Sequence, residues 1–231
     1  MGLLKLIESG KRYSILLGNR WNLIHDMEIT IKNYGTYLDY DAFSLGQLES
    51  KEWLIKELEK IGKHLGTVYV LCGWYGILPA LMFYADLEID KIRSFDVDKE
   101  SNKVADSINM TNSSNGWRFK AVTQDIFDIN FVVHSWQCWS NKNNRLSYPI
   151  TDRPNTIINT SCEHTNPDWF NQVPKGKFVV LQSNDSSTEK GHINAVSDLD
   201  EFKNMYPMSS IYYNGKMKFE KYTRFMLIGV K

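Results

Sequence analysis

The chain has 231 residues, 42% hydrophobic and 23% charged, with 27 basic and 27 acidic side chains and a formal net charge of zero. That balance describes a folded domain and speaks against a surface built to wrap a nucleic-acid duplex, while leaving room for a local basic patch. The three cysteines, Cys72, Cys138 and Cys162, form no CxxC pair, which argues against a disulfide framework and against a structural zinc cluster.

No apolar run reaches the ~20 residues needed to span a bilayer. Lys5, Glu8, Lys11 and Arg12 break the first residues where a signal peptide would be apolar. The expectation is a soluble protein of a reducing, cytoplasmic compartment with no membrane partner.

Residues 1–49 read as a mainly helical and irregular arm, or a lid. Leu3, Leu4, Leu6 and Ile7 fit a short helix, and the apolar spacing of 21–29 fits a helix or a strand. His25-Asp26 is either part of that lid or a surface pair. Residues 39–46 show no period. Ser50 to Ile61 is the clearest helix: Trp53, Leu54, Leu58 and Ile61 share one side, Ser50 is the expected N-cap, and Gly62 or Gly66 ends it.

From here a second domain-sized stretch, 50–231, alternates strands and helices. Thr67 to Cys72 is an almost wholly apolar strand, expected to be buried on both faces. Gly73-Trp74-Tyr75-Gly76 breaks it, and Ile77, Leu78, Leu81 and Met82 follow helical spacing with Pro79 early enough to be tolerated. Lys91 to Phe95 is a second strand that delivers Asp96 and Asp98 at its end. A helix over 99–110 and a third strand over 117–122 follow, with Asp125 and Ile126 just beyond. Residues 131–154 make a long loop carrying His134, Trp136, Cys138 and Trp139. A fourth strand over 155–160 runs into Ser161-Cys162-Glu163-His164, and a fifth covers 177–182. After a helix over 199–205, strands at 210–213 and 222–230 are expected to turn through Asn214-Gly215, a pair that favours tight reversal. Alternation of this kind means a three-layer α/β domain whose five parallel strands end in an antiparallel pair.

The order of these motifs resembles the class I methyltransferases that use S-adenosylmethionine. The resemblance covers roughly residues 50–231 and rests on four places: Val70-Leu71-Cys72-Gly73-Trp74-Tyr75-Gly76, Phe95-Asp96-Val97-Asp98, Gln124-Asp125-Ile126 and Asn159-Thr160-Ser161-Cys162-Glu163-His164. It implies a Rossmann-like, seven-stranded mixed sheet with an antiparallel C-terminal hairpin. It also implies S-adenosylmethionine as cofactor, held by the turn with Gly73, Trp74 and Gly76, by Asp96 on the ribose, and by Asp125 and Ile126 at the adenine. Cys72 and the bulky Trp74 depart from the family's small, glycine-rich pattern. The physical reading agrees: the separation of Gly73 and Asp96 is close to the ~20 residues expected between a glycine turn and a ribose acid. A turn with only two glycines suits a ligand without a pyrophosphate.

Glu163 and His164, at the end of the fourth strand, are the expected catalytic groups, since ligands meet open α/β sheets at the carboxyl ends of strands. The alternative is that their polar side chains tie down a loop. Adjacent residues rarely converge on one ion without distant partners, so no metal is expected. His134, Trp136 and Trp139 are expected to wall an acceptor pocket, or else to plug the core. Lys216, Lys218, Lys221 and Arg224 read as a solvated edge. The acceptor is expected to be a small molecule, with RNA or protein still open. The competing functions are another reaction of S-adenosylmethionine, by different group transfer or cleavage, and a binding or assembly module with a degenerate pocket. Oligomeric state cannot be read from the residues.

Overall fold

The computed structural model describes residues 21–140 and 144–231. Strands β1 (Gly66–Leu71), β2 (Ile89–Asp96) and β3 (Phe119–Thr123) form one half of the main sheet. The stretch after β3 builds two small ladders of its own. In these, β4 (His134–Trp136) pairs with β7 (Ile150–Asp152), and β5 (Trp139–Ser140) pairs with β6 (Arg145–Leu146). The chain then re-enters the main sheet as β8 (Thr156–Asn159) and β9 (Phe178–Asn184), and ends with β10 (Ser210–Lys218) and β11 (Thr223–Val230). The seven-stranded order is β3-β2-β1-β8-β9-β11-β10; β11 runs antiparallel to both neighbours and the other pairs are parallel. This is the mixed sheet that the strand–helix alternation implies.

Helices α1 (Trp21–Tyr34), α2 (Leu45–Ile61), α3 (Ile77–Met82), α4 (Lys99–Ile108), α5 (Met110–Ser114), α6 (Trp169–Gln172) and α7 (Leu199–Met205) cover the sheet. All six residues of β1 are buried because both faces are covered. Its side chains alternate between two cores: Val68 and Val70 join Leu54, Leu58, Leu81 and Val104 on one face, while Tyr69 and Leu71 join Phe95, Trp169, Phe170 and Phe202 on the other. Among the described residues, no helix is long and apolar enough to cross a membrane.

Two local expectations are corrected. Helix α2 begins earlier than Ser50: Ser44 is its N-cap, accepting from the Gln47 N–H, and Ser50 lies inside the helix with its hydroxyl donating to the Gln47 carbonyl. Its end is where expected, with Gly62 in the left-handed conformation (φ +61°) that favours glycine. Asn214-Gly215 is not a turn. Both residues sit within β10, opposite Leu227 and Met226, and the chain reverses at 219–222, where the Phe219 N–H donates to the Tyr222 carbonyl. The buried face of β11, with Met226 and Ile228, sets the register, and β10 extends along the whole of it; that long pairing overrides the local preference of Asn-Gly.

The segment before residue 50 shares the main core. Leu23, Met27, Leu38, Ala42 and Phe43 pack in the same cluster as Val68 and Val70, and α2 runs through position 50 without a break. Asp26 is buried beside α5, where its carboxylate accepts from the Thr111 N–H (2.9 Å) and hydroxyl (3.1 Å), so Asp26 anchors α1, while His25 is exposed. The expected helix at Leu3–Ile7 lies outside the described residues.

Candidate functional site

A cavity of about 1350 Å³ opens at the carboxyl ends of β1, β2, β8 and β9. Each strand delivers residues to it: the Cys72–Tyr75 turn from β1, Asp96 from β2, Thr160 to His164 from β8, and Asn184 and Ser186 from β9. The remaining walls come from 39–51, the start of α3, the 189–192 loop and the 218–224 turn between β10 and β11.

The turn after β1 is tightly built. Cys72 (φ +50°) and Trp74 (φ +46°) both hold left-handed backbone conformations that non-glycine residues rarely adopt. Gly73 sits between them with its N–H donating to the Phe95 carbonyl (3.1 Å), and a Cβ there would collide with Ser94 Oγ on β2. Asp96 holds the turn from the other side. Its Oδ2 accepts from the Trp74 N–H (2.9 Å) and its Oδ1 from the Asp98 N–H (3.0 Å). Because each carboxylate oxygen can accept more than one hydrogen bond, acceptor capacity is left toward the cavity. Burial first, then Asp96, pushes the Cys72 thiol up to about 12, which disfavours the thiolate.

Tyr75 joins this turn to the facing wall. Its hydroxyl accepts from the Asp39 N–H (3.1 Å) and donates to the Tyr37 carbonyl (3.2 Å).

Across the cavity lies a buried charge cluster. Glu163 is 2% exposed and Arg224 4%. Glu163 Oε1 accepts from Asn184 Nδ2 (2.7 Å) and Arg224 Nη2 (3.3 Å), and Arg224 Nη1 donates to the Thr160 carbonyl (3.0 Å). Arg224 is therefore the partner of a buried acid, not part of a solvated edge. Next to them is Lys51, which donates to Gln47 Oε1 (2.7 Å). Burial, and then the Arg224 charge, lowers its ammonium from the usual 10.5 to about 7, against the opposing pull of Asp41 and Glu163.

Of the residues expected to form the site, Gly73, Trp74, Asp96, Glu163 and His164 line this cavity. Others do not. Gly76 is a packing glycine: its backbone is left-handed (φ +67°), its carbonyl accepts from Asn109 Nδ2, and Ala105 lies close enough to crowd a Cβ. Asp125 caps a short turn through the Phe127 N–H, and Ile126 is buried in the core. His134 is a core histidine: it accepts from the Asn130 N–H at Nδ1 and donates from Nε2 to Gln124 Oε1, beside the rings of Tyr69 and Phe95. Burial lowers its pKa, against the opposing pull of Asp152, which favours that neutral form. Trp136 is buried, with Nε1 donating to Asp152 Oδ2 and its ring under the Arg93 guanidinium. Asp152 also pairs with Arg93 Nε (2.8 Å) and Lys91 Nζ (2.6 Å), so this tryptophan belongs to the anchor that fixes the 131–154 segment onto β2. Trp139 lies in β5, paired with Leu146.

Among the cavity residues not picked out from the sequence are His192 and Lys51. His192 stands alone in a polar loop, without a motif. Lys51 looks like one of many lysines on a solvated face, yet it precedes Leu54 by three and Leu58 by seven positions, which puts it on the buried stripe of α2.

No protein-family model and no curated protein matches the sequence. Solved structures match the fold. An O-methyltransferase from Bacillus cereus in complex with S-adenosylhomocysteine superposes with a TM-score of 0.57 at 12% identity, over 97% of each chain. Magnesium protoporphyrin IX methyltransferase (ChlM) from Synechocystis, with bound S-adenosylmethionine, gives 0.56 at 11% identity, over 95% of this chain and 93% of that one. The N-methyltransferase NodS from Bradyrhizobium japonicum gives 0.51 at 10% identity, over 79% of this chain and 96% of that one. With its strand order, its reversed β11 and these likenesses, the chain has the fold of the class I S-adenosylmethionine-dependent methyltransferases.

Proposed function

We propose that this chain is an S-adenosylmethionine-dependent methyltransferase acting on a small-molecule acceptor. The observation that carries the reading is that one cavity joins the Gly73 turn and Asp96 to a second, chemically distinct cluster around Lys51 and Glu163. Its volume exceeds the ~300–1,000 Å³ of an ordinary ligand pocket, so there is room for a cofactor and an acceptor together. Residues on the cofactor side fit the group: Asp96 presents carboxylate oxygens with acceptor capacity left at the end of β2, beside a backbone turn that it holds in place itself.

Bound S-adenosylmethionine would supply an electrophilic sulfonium methyl group. What remains for the protein is alignment and removal of the acceptor's proton. Lys51 suits the second task, because an amine held at about 7 is substantially neutral near neutral pH and lies on the acceptor side of the cavity. Glu163, fixed between Asn184 and Arg224, orients rather than shuttles protons. The neutral net charge favours a small acceptor over a nucleic acid.

The test is calorimetric titration of the folded protein with S-adenosylmethionine and S-adenosylhomocysteine, followed by mass spectrometry of products from candidate acceptors. Binding of both with methylated product supports the proposal. Binding with cleavage or transfer of another group would point to a different reaction of the same cofactor. Absence of binding to either would sink the cofactor reading and leave a binding module.

A further inference from the structure

We propose that Glu163, His164 and His192 form a binding site for a divalent transition-metal ion on the wall of the cavity. Glu163 and His164 come from the turn after β8, while His192 comes from the loop after β9. One ligand atom from each lies within 4.8 Å of the others, and all three residues line the cavity. The two imidazoles stand edge to face with centroids 4.5 Å apart.

The hydrogen bonds show which ring nitrogens are taken and which are free. His164 Nδ1 faces the Gly191 carbonyl at 3.0 Å, and His192 Nδ1 faces the Ser186 carbonyl at 2.5 Å. A carbonyl can only accept, so both Nδ1 atoms carry the proton and donate it. In the neutral rings both Nε2 atoms then carry a free lone pair. Metal-binding histidines commonly donate one ring N–H to a carbonyl or carboxylate while the other nitrogen ligates.

Glu163 supplies an independent sign. Its Oε1 is taken by Asn184 and Arg224, but its Oε2 is buried and has no hydrogen-bond partner. A buried carboxylate oxygen left unpaired is costly, and a cation satisfies it. The loop is also held in place for the purpose. The Glu163 backbone carbonyl accepts from the N–H groups of Ile193 and Asn194, both at 2.9 Å, which ties the His192 loop to the turn bearing the other two ligands.

Two imidazoles and one carboxylate suit Zn²⁺, Mn²⁺, Fe²⁺ or Co²⁺ better than the all-oxygen preference of Ca²⁺ and Mg²⁺. Three protein ligands leave positions open toward the cavity, where an acceptor oxygen can bind and become more acidic. This gives His192, alone in its loop, a role that the sequence does not reveal.

The experiment is calorimetric titration of the metal-stripped full chain with Zn²⁺ and with Mn²⁺, repeated on His192→Ala and His164→Ala, with Co²⁺ as a spectroscopic probe. The expected result is one ion per chain in the wild type, ligand-field bands with Co²⁺, and affinity at least about 10-fold weaker in each variant. Metal should raise the unfolding midpoint of the wild type but not of His192→Ala. His192→Gln serves as a second variant where the alanine does not fold. No saturable uptake by the wild type would overturn the proposal, as would uptake that both alanine variants retain. S-adenosylhomocysteine titrated into the same samples reports the cofactor site separately, so failure of one reading is distinguishable from failure of the other.

Discussion

Replacing Lys51 with methionine tests the electrostatics of the cavity wall directly. Burial lowers the Lys51 ammonium from 10.5 to about 7 in the folded chain. At about 1.36 kcal/mol per pH unit, charging it there costs roughly 4–5 kcal/mol more than in the unfolded chain. The folded value lies below the unfolded one. Between these two values, then, the unfolded chain holds a proton that the folded chain does not, and stability rises with pH. Below about 7 both states are protonated and the full penalty is present. Lys51→Met has no such titration, and its apolar stem fits a site that is 9% exposed. Urea unfolding of both proteins at pH 6.5 and pH 9.5 cancels the titrations they share. The stability difference, variant minus wild type, should fall by about 3 kcal/mol between those pH values. A difference constant to within about 0.5 kcal/mol would mean that Lys51 titrates normally, and the proposed base would be lost with it.

Asp96→Ala should weaken S-adenosylmethionine binding by at least about 10-fold, the value of one charged hydrogen bond, while the protein stays folded; unchanged affinity by calorimetry would refute the ribose assignment. Asp152→Asn removes the charge that faces Arg93, whose side chain is 4% exposed, and should lower unfolding stability by about 3 kcal/mol and loosen the 131–154 segment to proteolysis. A loss under about 1 kcal/mol would show that the segment is anchored elsewhere.

What the sequence made legible follows from where the signals are local. The apolar run of β1, the amphipathic phase of α2 and the acid ending β2 each depend on neighbours in the chain, and all appear where expected. The glycine turn was legible in place but not in division of labour: Gly73 lies at the cavity, whereas Gly76 packs against α4. His134 and Trp136 read as pocket walls because loops after parallel strands usually reach the ligand face. Asp152, sixteen positions beyond Trp136, instead draws that tryptophan inward, and nothing at Trp136 itself announces this. His192 and Lys51 acquire meaning only through partners on other strands. The hairpin turn was misplaced because Asn-Gly is a local preference and the register of β11 is not.

The Tyr75 hydroxyl has a consequence for how such a protein can change. It grips the 37–39 backbone through one carbonyl and one N–H, and no side chain of that segment takes part in the grip. Any sequence that presents the same two peptide groups can be clasped equally well. The hydroxyl thus ties this wall to the Gly73 turn through backbone groups alone, while Leu38, Ala42 and Phe43 tie the same stretch into the core. Exposed positions of the wall can then change while this link between the two sides of the cavity is kept, because the link reads peptide groups and not side chains.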